Sequence, residues 1–389
     1  MLHAGVLIAL LAGQMILPRD KPNTETAPDL APLRLFEKRL EREVATDPDI
    51  MGLAVAVVDR GTLVLQRSFG RTARNGPRVD EHTRFRIASL SKGFAATVAV
   101  RLAYLNRLDL RAPAVAAAPH FKLKSQADRD RATVEDVLSH RLGLPPHAYD
   151  NLLEANVPVQ NIFQRLGAVD LVCPVGDCYV YQNVAFSLVE PAVEQAAGRP
   201  YEDTVMTEIF QPLAMDRANF GLDGLEADAN WARPHRARRG RISEMKPRPA
   251  YYRVPSAGGV NASLRDMTLW LMAQMGEVPE QLPPELLAEL HRPRVHSLHQ
   301  DQRVRWMRGR VRRTDYALGW RVYDYAGHRV IYHGGGLAGY RAMIAFSPER
   351  KVGLVTLWNA NACAGWRLMP IFFDAQFDLP QADWTNRPC

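Results

Sequence analysis

Two blocks of strand-like sequence lie far apart in this chain, and any fold must bring them together. The first is "MGLAVAVVDRGTLVLQRSFG" (51–70), in which two apolar, β-branched runs flank Asp59-Arg60-Gly61. Two such runs around a Gly-containing turn predict a hairpin. The second is "YALGWRVYDYAGHRVIYHGG" (316–335) with "YRAMIAFSPERKVGLVTLWNA" (340–360), which alternates and is divided by Gly and Pro turns. A lone hairpin is marginal in water, so the first block needs partners. The expected solution is one antiparallel sheet assembled from both chain ends, with the intervening residues forming a helical lobe.

The remaining segments agree with that plan. "LAPLRLFEKRLEREVATD" (30–47) has a one-sided apolar pattern and predicts an amphipathic helix. "CAGWRLMPIFFDAQF" (363–377) reads as a closing helix. Between Phe94 and Leu105 the chain is apolar on nearly every side, so that helix is expected to be buried all round. "TVEDVLSHRLGLPPH" (133–147) opens on Thr133 as an N-cap and stops at Gly143 and the prolines. The expected division is 31–114 with 255–376 as an α/β domain and 115–254 as a mainly helical domain. Residues 1–30 would be a leader and linker, and 377–389 a tail. With 389 residues, 47% of them hydrophobic, there is ample material for these cores.

Chemistry enters through His333, followed by Gly334, Gly335 and Gly336. In one class of hydrolase an HGGG segment supplies oxyanion donors, but it precedes a G-x-S-x-G elbow on a doubly wound sheet. No G-x-S-x-G occurs here, and only 56 residues follow His333. The nucleophile must therefore lie upstream. A serine needs a base, and S-x-x-K at a helix start places an amine one turn from a hydroxyl. Ser89–Lys92 and Ser243–Lys246 both match. The second lies in a basic, proline-broken loop, whereas the first opens the buried helix. Lysine is scarce, seven against forty-two arginines, and Lys92 alone sits in an apolar helix. Burial favours its neutral form, which arginine never adopts. Of three Y-x-N copies, at Tyr104, Tyr149 and Tyr181, only Tyr181–Asn183 stands between a rigid turn and a helix start.

Ser89-Leu90-Ser91-Lys92, Tyr181-Gln182-Asn183 and His333-Gly334-Gly335, in that order, resemble the motifs of the class C β-lactamase and penicillin-binding-protein-like serine hydrolases. The resemblance runs over roughly 35–376 and includes "VEDVLSHRLGLP", "IFQPLAM", "PSAGGVNASLRDM" and "YALGW". It implies an α/β (α+β) fold of the β-lactamase/transpeptidase type, with an antiparallel sheet flanked by helices plus an all-helical domain. It also implies acylation of Ser89, with Lys92 as its partner and Tyr181 as general acid/base. Asn183, His333, Gly335 and Gly336 would contact substrate, and the backbone N–H groups of Ser89 and Gly336 would form the oxyanion site. The family's edge-strand lysine is replaced by His333, so a less acidified Tyr181 and weaker carboxylate binding are expected. Arg341 is the candidate for the missing charge. The expected activity is hydrolysis of a D-amino-acid peptide or an ester. A binding protein for cell-wall peptides and a true β-lactamase are the alternatives. His140 and His147 are read as structural.

Four cysteines include Cys173 and Cys178 around a Pro/Gly turn, which predicts a local disulfide; Cys363 and Cys389 are a second candidate pair. No zinc-like spacing exists, so neither metal nor other cofactor is expected. Residues 4–17 are almost wholly apolar, the length of an export signal or short anchor. Together with the disulfide this predicts a periplasmic or otherwise exported protein, with membrane association through the N-terminus as one form. The net charge of +7 is concentrated in 233–248 and 292–313. No nucleic-acid motif accompanies these runs, so they are read as solvated loops, with a cell-wall polymer as the alternative partner. The expected partner of the cleft is a small-molecule or peptide substrate.

Overall fold

The computed structural model describes residues 30–384 except Arg308. The expected leader and Cys389 lie outside the described residues. Among the described residues no helix is long and apolar enough to cross a membrane.

The two strand blocks meet in one antiparallel sheet of eight strands. These are β1 (Gly52–Asp59), β2 (Thr62–Gly70), β3 (Val295–His296), β4 (Val311–Tyr316), β5 (Arg321–Tyr325), β6 (His328–Leu337), β7 (Tyr340–Ser347) and β8 (Val352–Trp358). Their order across the sheet is β2-β1-β8-β7-β6-β5-β4-β3. The joint between chain ends is β1 on β8, running from Leu53 opposite Trp358 to Asp59 opposite Val352. The β1–β2 turn uses Arg60 and Gly61, both at positive φ (46° and 73°), the geometry that matches strand twist.

Both faces of the sheet are covered, so its central strands are apolar throughout rather than alternating with polar residues. Leu53, Val55, Val57, Met343, Ala345 and Leu354 face one layer. There α1 (Leu30–Thr46) packs on the closing helix Ala364–Gln376, with Phe36 edge-on to Phe372 at 5.3 Å. Their neighbours Ala54, Ala56, Val58, Ala342 and Ile344 face the other layer. That layer is built on α2 (Ser91–Tyr104), where Phe94 stacks on Trp270 at 4.1 Å and meets Phe210 at 5.4 Å. Helix α2 is buried from Ser91 to Val100, since sheet and helical segment enclose it from opposite sides.

The helical segment shares this core rather than owning a separate one: Leu138, Phe186 and Val193 belong to the same cluster as Phe94 and Ile344. The residues expected to be mainly helical also contain a two-stranded hairpin, His235–Arg238 with Arg241–Glu244. Its start is bridged to Ala360 at the sheet, so this stretch returns to the strand layer. Ser243, the second S-x-x-K serine, lies on this hairpin.

Candidate active site

The turn that enters α2 is held from several directions. Residues Ala88–Leu90 form a single 3-10 turn, with Ala88 at φ 51°, a conformation non-glycine residues rarely adopt. Ser91 Oγ donates to Ala88 O (2.7 Å) and accepts from Val260 N (3.0 Å). Ile87 N donates to Val260 O (3.2 Å). Ser89 is the partly exposed residue of this clamped turn, and β6 packs directly on it. A Cβ on Gly335 would lie 2.2 Å from Ile87 O, so only glycine lets β6 approach. Gly334 is equally constrained, since a Cβ there would meet Trp366 at 2.8 Å. Two of the three glycines thus answer to packing of the protein on itself, while Gly336 is exposed to the cleft.

Lys92 is completely buried, one turn on from Ser89. Its Nζ donates to Asn183 Oδ1 (2.8 Å) and Ala257 O (3.0 Å), and lies 4.7 Å from the Tyr181 ring centroid. Burial holds the amine well below the usual lysine range, with Arg321 adding to the effect and Asp150 opposing it. A neutral amine has two N–H groups and one lone pair. Both N–H groups have acceptors here, which leaves the lone pair as the free valence. The Ala257 carbonyl is itself braced: Glu190 Oε1 accepts from Ser256 N (2.9 Å) and Ser256 Oγ (2.6 Å). Burial pushes the Glu190 carboxyl up to about 8, partly offset by those bonds.

Tyr181 and Ser89 face the same inner chamber. Burial raises the Tyr181 phenol, while Arg321 and the neighbouring Ser89 hydroxyl pull the other way. The loop that carries it is tied by the Cys173–Cys178 disulfide and by Val180 N donating to His140 O (2.9 Å). Gln182, unremarked in the sequence beyond its place in the motif, clamps the preceding loop. Its Nε2 donates to Leu144 O (3.1 Å) and Pro145 O (2.7 Å), and its Oε1 accepts from Ala148 N (3.2 Å). Cys363 is also disulfide-bonded.

One expectation changes and two are refined. Asn183 was expected to hold a substrate amide; it lines the inner chamber, and its amide is also engaged by the protein, Oδ1 by Lys92 and Nδ2 donating to Asp150 Oδ2 (2.7 Å). It orients the lysine. His333 was expected to touch substrate, yet it is 1% exposed and lies behind the cleft wall. Its Nδ1 faces Gly334 O (3.0 Å), so Nε2 is the acceptor for the Tyr316 hydroxyl (3.1 Å) and faces Arg321 Nη1 (3.4 Å). Burial, then Arg321 and Lys92, hold its imidazole well below the usual range, so it is neutral. Arg341 lines the cleft, but its Nη1 is tied to Leu337 O (2.8 Å) and Tyr340 O (2.7 Å). The cation beside Tyr181 is Arg321, with its guanidinium 5.3 Å from that ring. The signal was present in the sequence as a charged residue directly after "YALGW", at an inward position of β5.

His140 and His147 also prove to be part of this neighbourhood. His140 packs on Tyr181 at 4.4 Å, and burial, then Lys92 and Arg321, hold it neutral. His147 lines the cleft itself.

The cleft has a volume of about 680 Å³ and runs from Ser89 past Gly336 to Trp306 and Trp366. An inner chamber of about 150 Å³ also opens on Ser89, Tyr181 and His147. Arg303, Arg321 and Arg341 line the large cleft against one carboxylate, Glu154. The arrangement offers a hydroxyl, a desolvated amine, a phenol and a cationic wall around one point, the equipment of nucleophilic acyl transfer.

A family model described as Beta-lactamase matches residues 37–365. The unguisins hydrolase ungD' of Aspergillus campestris is 24% identical over 353 residues, covering 87% of this chain and 65% of that protein. Protein flp of Staphylococcus aureus is 21% identical over 321 residues, covering 80% of this chain and 60% of flp. The chain thus spans under two thirds of the length of these curated relatives. Among solved structures, the octameric penicillin-binding protein homologue from Pyrococcus abyssi superposes with a TM-score of 0.76 at 20% identity, covering 89% of this chain and 78% of that one. A D-stereospecific amidohydrolase from Streptomyces superposes with a TM-score of 0.69 at 21% identity, covering 90% of this chain and 99% of that one. These likenesses agree on the α/β fold with its antiparallel sheet.

Proposed function

This chain belongs to the beta-lactamase family, and on that premise we propose that it is a serine hydrolase working through an acyl-enzyme on Ser89. The observation that carries this reading is Lys92. It is a buried amine whose two N–H groups are both accepted by the protein, one turn from a serine that shares a chamber with Tyr181. Lys92 takes the proton of Ser89 as Oγ attacks an acyl carbon; Tyr181 then gives its proton to the leaving group and is reprotonated from Lys92. The backbone N–H groups of Ser89 and Gly336 receive the developing oxyanion.

The substrate is an ester, or a peptide amide with a D-residue at the cleaved bond. The D-stereospecific amidohydrolase among the structural neighbours supports the second choice. The cleft favours a substrate with a bulky apolar group, for Trp306, Met307, Trp366 and Met369, and an acidic end, for Arg303 and Arg321. The Cys173–Cys178 disulfide supports an exported protein working in an oxidising compartment.

The test is intact-mass analysis after exposure to a fluorophosphonate or a penicillin, with Ser89→Ala as control. One adduct per chain, absent in the control, is expected. Failure to label Ser89 with any reagent rejects the reading. Nitrocefin, D-alanyl peptides and p-nitrophenyl esters then rank the substrate classes.

A further inference from the structure

Once Ser89 is acylated, a water molecule must lose a proton to attack the acyl carbon. His333, on β6, is buried and its Nε2 is already occupied by Tyr316 and Arg321. Lys92 is wholly buried and lines neither the large cleft nor the inner chamber. A different imidazole faces the open space. The side chain of His147 is 49% exposed and lines both the large cleft and the inner chamber, together with Ser89 and Tyr181.

We propose that His147, paired with Asp150, is a catalytic residue that takes the proton from the deacylating water. This rests on the Ser89 acyl-enzyme reading. His147 Nδ1 lies 3.0 Å from Asp150 Oδ2. That carboxylate oxygen also accepts from Asn183 Nδ2 (2.7 Å) and the Tyr251 hydroxyl (3.2 Å), so its position is set from three elements. Asn183 Nδ2 also lies 3.2 Å from Nδ1, but the carboxylate is nearer and can only accept, so Nδ1 carries the proton and the Nε2 lone pair is the free acceptor. Among the described residues no group hydrogen-bonds Nε2.

The backbone is arranged around the same end. His147 is held at φ 56°, and its N–H donates to Tyr181 O (3.1 Å), which couples it to a residue that lines the chamber with the nucleophile. Strained backbone of this kind persists where surrounding structure enforces it. The ring lies 5.6 Å from the Tyr181 ring. The 150 Å³ chamber between them has room for about five waters at the liquid volume of roughly 30 Å³ each.

The step balances as follows. Water gives a proton to His147 Nε2 as its oxygen bonds to the acyl carbon. The tetrahedral adduct collapses, the bond from that carbon to Ser89 Oγ breaks, and the proton returns from the imidazolium to Oγ through Tyr181. The products are the free acid and the serine hydroxyl.

The experiment is stopped-flow hydrolysis of p-nitrophenyl acetate by the full chain, with intact-mass analysis of quenched samples. His147→Asn keeps a donor toward Asp150, suits a positive φ, and removes Nε2. His147→Gly suits the same backbone and opens a site for free imidazole. The expected result for both is a full acylation burst with steady turnover lowered about 10²-fold or more, the size of a lost general base. Acylated Ser89 accumulates, and added imidazole restores turnover in His147→Gly but not in the parent protein. Turnover within about 3-fold of the parent, or burst and turnover falling together without imidazole rescue, would overturn the assignment and make His147 a substrate contact or a packing residue. No burst and no adduct in the parent protein would instead bring down the acyl-enzyme reading beneath it. Circular dichroism establishes that each variant is folded.

Discussion

Gly335→Ala tests the contact between β6 and the nucleophile turn. A Cβ there would lie 2.2 Å from Ile87 O, 3.1 Å from Leu90 Cδ1 and 3.2 Å from Ile87 C. Carbon and carbonyl oxygen come no closer than about 3.3 Å without repulsion, so strand and turn must part by about 1 Å. Neither side yields easily. The strand is paired with β7 along this stretch, Gly335 opposite Ala342, and is anchored just upstream by β5, which pairs with His328 to Tyr332. The turn is tied by the Ser91 and Val260 bonds. Overpacking of this size costs about 1–3 kcal/mol of stability. A misplacement of about 1 Å at the reacting atoms costs about 10²-fold in rate, or about 2.7 kcal/mol at the barrier. Single-turnover acylation by an activated ester and the urea midpoint read the two effects separately. Gly336→Ala is the stability control, because its Cβ would meet nothing closer than the Arg341 side chain at 3.5 Å. A Gly335→Ala protein with the parent midpoint and the parent acylation rate would refute the idea that this glycine sets the strand-to-serine distance.

Other outcomes follow from the same geometry. Lys92→Met should abolish acylation while leaving a folded protein. The native amine has a lowered pKa and the unfolded chain an ordinary one near 10.5, so the unfolded state binds the extra proton between them. The parent protein therefore gains stability relative to Lys92→Met as pH rises toward 10.5, read as the difference in urea midpoint; a difference that shrinks with pH would contradict a neutral lysine. Arg321→Gln should weaken kcat/KM about 10-fold, or about 1.4 kcal/mol, for esters with a carboxylate but much less for neutral ones. Equal losses would show that the guanidinium serves the fold alone. Cys173→Ser with Cys178→Ser should lower stability by about 2 kcal/mol, the loop-entropy value for so short a ring. An unchanged melting temperature would remove that bridge from the supports of Tyr181.

Much of the fold was legible because its signals are local. The β1–β2 turn follows from the Asp59-Arg60-Gly61 pattern, and Thr133 caps its helix with Asp136 in a reciprocal pair of bonds. The all-round apolar helix reads as buried whatever surrounds it. The helical segment's shared core was not legible, because periodicity shows that a face is apolar but not which face covers it. The site divides the same way. Spacing singled out Ser89, Lys92 and Tyr181. It did not show that Asn183 serves the lysine, that His333 lies behind the wall, or that Arg321 and His147 face the cleft.

The amino-acid sequence by itself determined the reactive set: a serine and a lysine one helical turn apart, a tyrosine on a bridged loop, and glycines where a strand must pass close. Those follow from spacing along one element, which the backbone geometry of that element dictates. Tertiary structure alone decided the electrostatics. Lys92 meets Asn183 across 91 positions and Ala257 across 165. Such contacts depend on strand order and on which helix covers which face. Burial, which disfavours the lysine's charge, is a property of the whole packed layer and of no single segment.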